Sequence, residues 1–167
     1  MLKPAAFLDR DGVINKDKGY VYKKKDFEWI LDSKKAIKYL NDRKYLVFVV
    51  TNQSGISKGF YLENEVVNLH NYINDELKMI DAHVDEFFYS PYHPDDKNSE
   101  YSYLSHLRKP ETGMLDLANK KWLIDKSKSF MVGDKDTDVL CAKNFGIRGH
   151  LFNESSLLDF IKKKENI

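Results

Sequence analysis

Asp9 and Asp11 stand two residues apart in the segment DRDG, with Arg10 between them and Gly12 after. A carboxylate can attack phosphorus as a nucleophile, and a second carboxyl group close by can protonate the departing oxygen. The two can take these different roles when the backbone leaves a strand between them, and Gly12 permits the sharp turn this needs. A D-x-D-G segment also opens a calcium loop, but that loop requires a Glu at its twelfth position. Counted from Asp9, that position is Tyr20. Asp134 can share a magnesium ion with Asp9, because Mg²⁺ takes few carboxylates and keeps waters and phosphate oxygens. Thr51 offers a hydroxyl, and Lys109 offers a cation against the charge that develops on a transferring phosphoryl group.

Positions so far apart in sequence need a frame that gathers them. The run 45–51 (YLVFVVT) is β-branched and aromatic, and a continuous apolar run of this kind predicts a strand covered on both faces. Segments 5–9, 84–89, 129–132 and 148–152 are further predicted strands. Ala36, Ile37 and Leu40 form one helical stripe, and Val66, Leu69, Ile73, Leu77 and Ile80 form another. Ser33 is the expected N-cap of the first helix, and Gly146 the expected stop of a helix beginning near Asp136. Strands alternating with helices predict an α/β fold, a Rossmann-like parallel sheet with helices on both faces. Ligands of such sheets gather at the carboxyl ends of the strands. Those ends carry Asp9 to Gly12, Thr51 to Gly55 and Gly133 to Asp136.

Composition bounds the rest. The 167 residues, 42% of them hydrophobic, suit a single domain over 1–167, with an irregular excursion at about 91–108. Lys and Arg number 27 against 26 Asp and Glu, which argues against a nucleic-acid partner. One cysteine, Cys141, excludes an internal disulfide framework and a thiolate-rich zinc site. No apolar run could span a bilayer, and acidic residues come too early for a signal peptide, so a cytoplasmic protein without a membrane partner is expected. The lysines within 16–25 and at 162–164 read as solvated surface.

The segments FLDRDGVIN, D-x-GYV at 17–21, VVTNQSGI at 49–56, RKPETGML at 108–115 and GDKDTD at 133–138 resemble the motifs of the haloacid dehalogenase superfamily. The resemblance covers about Phe7 to Gly146 and is strongest to its heptose-bisphosphate and histidinol-phosphate phosphatases. It implies Asp9 as nucleophile and Asp11 as general acid and then base. Mg²⁺ would be held by Asp9, Asp134 and the backbone carbonyl of Asp11, with Thr51 and Lys109 stabilising the phosphoryl group. Arg10, Asp17, Lys18, Gly19, Tyr20, Asn52, Gln53, Ser54, Arg108 and Lys135 would line the substrate side. Asp138 would stand behind them, orienting Lys109 or a metal-bound water, a role Asp136 could equally take.

Members of this group carry a zinc loop before the Arg-Lys-Pro, but its ligand positions here are Ser90, Tyr92, Ser105 and Leu107. Structural zinc is therefore not expected, and Tyr92, Tyr101, Tyr103, Leu104 and Leu107 are expected to pack the loop on the sheet. Only about forty residues separate Asp11 from Thr51, too few for a large cap domain. The open core points to a monomer acting on a small phosphorylated metabolite, with heptose bisphosphate first and histidinol phosphate or another sugar phosphate as alternatives. A receiver-like module would need an acceptor Asp after the third strand, where Ser90 and Pro91 stand. A catalytically dead scaffold would not keep every catalytic position filled.

Overall fold

The computed structural model describes residues 1–96 and 100–167. Its sheet consists of β1 (Ala5–Leu8), β2 (Leu46–Asn52), β3 (Glu86–Ser90), β4 (Phe130–Gly133) and β5 (Arg148–Leu151), in the order β3-β2-β1-β4-β5. Every pairing is parallel. The predicted strands are all present, with ends shifted by one or two residues. Val84, expected inside the third, lies before the ladder because its backbone N–H is taken by the Asn74 side chain.

The helices are α1 (Ser33–Asp42), α2 (Glu63–Lys78), α3 (Gly113–Lys121), α4 (Asp136–Phe145) and α5 (Leu157–Glu165). Strand side chains alternate between faces, so one strand serves two cores. Ala6, Leu8, Val47, Val49, Phe130 and Val132 pack with Ile37 and Leu40 of α1, Leu69, Ile73 and Leu77 of α2, and Phe160 and Ile161 of α5. Ala5, Phe7, Phe48, Val50 and Met131 face Met114, Leu115 and Ala118 of α3 and Ala142 and Phe145 of α4. Each buried Phe, Leu or Ile in these layers contributes about 1.5–3 kcal/mol. The two-faced burial explains why β1, β2 and β4 are apolar without interruption. Among the described residues no helix is long and apolar enough to cross a membrane.

Two local expectations are corrected. Ser33 is the first residue of α1 and not its cap; its hydroxyl donates to the Ile30 and Ile14 carbonyls, tying the helix to the loop after β1. Ile80 lies past the end of α2 and is exposed, because the chain leaves the helix at Met79. Helices α3 and α5 lie where no apolar stripe was read, each being only nine residues long. Gly146 ends α4 in the left-handed conformation, as expected of a C-terminal glycine.

The excursion at 91–108 includes 97–99, which lie outside the described residues. Leu107 is buried against the α3 side of the sheet with Leu104 beside it, and Tyr101 packs on a cluster of Ile56, Tyr61 and Val66. Arg108 closes the segment by donating to the Tyr92 carbonyl at 3.1 Å. Tyr103, expected to pack inward, is 73% exposed, since a neighbouring turn already brings Leu104 and Leu107 to the core.

Candidate active site

The carboxyl end of β1 is the centre of the site. The Asp9 N–H still donates to the Val132 carbonyl, so Asp9 belongs to the ladder, and the chain then turns with Ile14 N–H returning to the Arg10 carbonyl. Gly12 makes the turn possible: its φ is +89°, and a Cβ there would lie 2.3 Å from an Asp134 carboxylate oxygen. The glycine thus lets β1 and β4 bring their acidic residues together.

Lys109 is almost wholly buried. Its ammonium donates to Asp9 Oδ1 at 2.9 Å, Asp138 Oδ1 at 2.6 Å and the Val50 carbonyl at 2.9 Å, which uses all three of its protons. Burial disfavours its charge, but Asp9 and Asp138 outweigh that and hold its pKa above the usual lysine range. Asp138 in turn accepts the Lys135 N–H through Oδ2 at the start of α4. A Cβ on Gly133 would collide with Asp138 at about 2.1 Å, so glycine is required at this strand end too.

One lysine does not satisfy this much negative charge. Burial pushes the Asp9 carboxyl up to about 7, Lys109 opposing and Asp138 reinforcing the shift, and burial raises Asp134 as well. Oxygens of Asp9, Asp134 and Asp138 lie within 4.8 Å of one another. Asp134 Oδ1 is buried without a hydrogen-bond partner. Asp138 already spends both oxygens inside the protein, which leaves Asp9 and Asp134 as the side chains suited to a hard divalent cation.

Asp11 is held from three directions. Arg10 Nη2 reaches its two oxygens at 3.1 and 3.0 Å, Asn15 Nδ2 donates to Oδ1 at 2.9 Å, and Gln53 Nε2 donates to Oδ2 at 2.9 Å. Gln53 Nε2 also donates to Thr51 Oγ1 at 2.8 Å, while Tyr61 donates to Gln53 Oε1 at 2.7 Å. Burial pushes the Tyr61 phenol up to about 12, so it remains a donor. Asn52 exchanges two hydrogen bonds with the Lys109 backbone, 3.0 and 3.2 Å long, fixing the lysine's stem to β2.

A family model described as polynucleotide kinase 3 phosphatase matches residues 5–161. The D-glycero-beta-D-manno-heptose-1,7-bisphosphate 7-phosphatase of Rhodopseudomonas palustris is 41% identical over 162 residues, 96% of this chain and 89% of its own. A putative haloacid dehalogenase-like phosphatase from Mesorhizobium loti is 29% identical, with a TM-score of 0.82 over 99% of this chain and 87% of that one. The chain belongs to the haloacid dehalogenase-like phosphatases. The D,D-heptose 1,7-bisphosphate phosphatase of B. bronchiseptica, solved with magnesium and phosphate, shares the fold at 24% identity, with a TM-score of 0.82 over 98% of each chain.

The phosphatase encloses a cavity of about 490 Å³ at this rim. Asp9, Asp11, Thr51 and Lys109 line it, together with Asp17, Gly19, Tyr20, Asn52, Gln53, Ser54, Arg108 and Lys135 from the expected substrate side. Of the expected site residues, Asp134, Arg10 and Lys18 are not among the lining. Arg10 is fully buried beneath the site, its guanidinium spent on Asp11, His70 and the Val21 carbonyl. Lys18 turns away to pair with Glu28 at 3.0 Å. Asn52 and Gln53 line the cavity but spend their amides on Lys109, Asp11 and Thr51. Tyr61, Pro110 and Thr137 also line it and were not expected; Tyr61 sits six residues past Gly55, and a Cβ on that glycine would strike its ring, a closeness no local pattern records. At the mouth, Tyr20 meets Phe60 edge-on at 4.9 Å, Tyr22 stacks on Tyr61 at 4.7 Å, and Lys135 faces Asp17 at 3.8 Å. The segment after β1 is thereby fastened to the loop after β2.

Proposed function

We propose that the chain hydrolyses a phosphomonoester through a covalent phosphate on Asp9, with Mg²⁺ as its cofactor and the 7-phosphate of D-glycero-D-manno-heptose 1,7-bisphosphate as its substrate. The observation that carries this reading is one cavity with Asp9, Asp11, Thr51 and Lys109 at the strand ends and Arg108 and Lys135 on its wall. Two cations away from the reacting centre suit a second phosphate, and the name of the Rhodopseudomonas palustris relative supplies the sugar.

In the first step an Asp9 carboxylate oxygen forms a bond to phosphorus while the bond to the sugar oxygen breaks, and Asp11 gives its proton to that oxygen. In the second step Asp11 takes a proton from water, the water oxygen attacks phosphorus, and the bond to Asp9 breaks to release phosphate. Lys109 keeps the nucleophile oriented through Oδ1 and presents positive charge to it. Mg²⁺ would be held by Asp9, Asp134 and the backbone carbonyl of Asp11, and when bound it offsets the negative charge that an anionic nucleophile meets at a phosphate. Asp11→Asn is expected to lower kcat about 10²–10⁴-fold, the usual cost of losing an acid and base. Unchanged turnover in that variant would remove Asp11 from the mechanism.

The cation has a stability signature as well. Adding Mg²⁺ to EDTA-treated protein should restore phosphate release and stabilise the fold by about 2.7 kcal/mol at a hundredfold excess over Kd, read as a higher melting temperature. Since the Asp9 carboxyl titrates at about 7, a proton competes for it at pH 6 but not at pH 8. The Mg²⁺-induced rise in melting temperature should therefore be larger at pH 8, and an equal rise at both pH values would count against Asp9 as a ligand. Substrate identity is tested by phosphate release from both anomers of heptose 1,7-bisphosphate, from hexose bisphosphates and from histidinol phosphate. The heptose should give the highest kcat/KM, and a preference for histidinol phosphate would reassign the cavity.

A further inference from the structure

We propose that His70 is a positioning residue for Asp11, acting through the buried guanidinium of Arg10. The inference rests on the reading of Asp11 as acid and base, and no motif of the site includes His70. It lies in α2, only 4% exposed, with its ring stacked on Phe87 at 4.6 Å and edge-on to Tyr89 at 6.2 Å. Its Nε2 is 3.3 Å from Arg10 Nη1. A guanidinium only donates, so Nε2 must be the acceptor and the imidazole must be neutral, with its proton on Nδ1. Burial and the Arg10 charge both lower the His70 pKa and agree with that state.

The chemistry of this partner matters. Arg10 spends Nη2 on Asp11 and on the Val21 carbonyl, while its Nε has no partner. A carboxylate in place of His70 would compete with Asp11 for the Arg10 charge. A neutral acceptor orients the guanidinium and leaves its charge directed at Asp11. The stacking on Phe87 fixes the imidazole in turn, so that the aim of Asp11 is set by the packing of α2 on β3.

The test compares His70→Phe, which can keep the stack but removes the acceptor, with His70→Gln, which keeps an acceptor. The probe is p-nitrophenyl phosphate, whose hydrolysis does not depend on the identity of the sugar. His70→Phe should lower kcat about 10- to 100-fold with little change in KM, as expected for a misdirected catalytic group, and His70→Gln should recover most of it. Melting temperatures of the two variants separate this from unfolding. In an Asp11→Asn background, His70→Phe should cost nothing more, because the group it aims is already gone. Equal kcat in His70→Phe and wild type, or the same loss with and without Asp11, would overturn the proposal. Full activity in Asp11→Asn alone would instead overturn the reading of Asp11.

Discussion

Asp9→Asn is expected to abolish phosphate release while leaving the fold intact. In the proposed mechanism the amide cannot form the covalent intermediate, and losses at a covalent nucleophile exceed about 10⁴-fold. Its shape is unchanged, and the Arg10 N–H to Asp9 Oδ1 bond at 2.8 Å can still be accepted by the amide oxygen. The pH dependence separates this variant from one that merely unfolds. In the folded protein the Asp9 carboxyl is raised from 3.8 to about 7, chiefly by burial. The folded state therefore holds that proton more tightly, and stability contributed at low pH is lost as pH rises from about 4 to 7. The variant carries no such loss, so without metal at pH 8 it should melt no lower than wild type. Peptide mass spectrometry of acid-quenched wild type should find one phosphate on Asp9. Substantial turnover by Asp9→Asn would end the assignment.

Lys109→Met should be damaging in two separable ways. It removes the ammonium that faces Asp9 and Asp138, leaving two buried carboxylates without their cation. Breaking a buried pair from one side typically costs about 3–5 kcal/mol, a fall in melting temperature of roughly 10 °C for a chain of this size. Activity should drop by about 10²–10³-fold as well, since a preorganised charge at the reacting centre is lost. Adding Asp138→Asn to the variant should recover part of the stability and none of the activity. Recovery of both would mean that Lys109 acts on the fold alone.

Much of this arrangement was legible in the sequence, for a physical reason. Asp9, Thr51 and Asp134 end apolar runs, and a parallel sheet brings the carboxyl ends of its strands to one rim whatever the loops do. Side-chain direction beyond the strand ends was not legible. Arg10 is a charged residue in a loop, yet it is wholly buried because three acceptors from separate segments converge on it. Lys18 lies between two residues that line the cavity but follows Glu28, a partner ten residues away. His70 was hidden differently: it directly follows Leu69 within the apolar stripe of α2, so periodicity absorbed it into the core. The resemblance puts Gln53 on the substrate side, and its contacts with Asp11, Thr51 and Tyr61 add a bracing role that no local pattern records.

The place of β1 in the sheet also bears on how the chain is made. Ala5–Leu8 leaves the ribosome before β2 and can pair with it once residue 49 has followed, but its other edge must wait for Phe130 to Val132. During that interval an apolar strand end carrying Asp9 has an open edge, the kind of surface on which strands from other chains add. When β4 arrives it closes the edge, and the segment 134–138 that follows it carries Asp134 and Asp138. Protection from misassembly and completion of the acidic cluster are then a single late event in synthesis, and a chain stopped before residue 130 has neither.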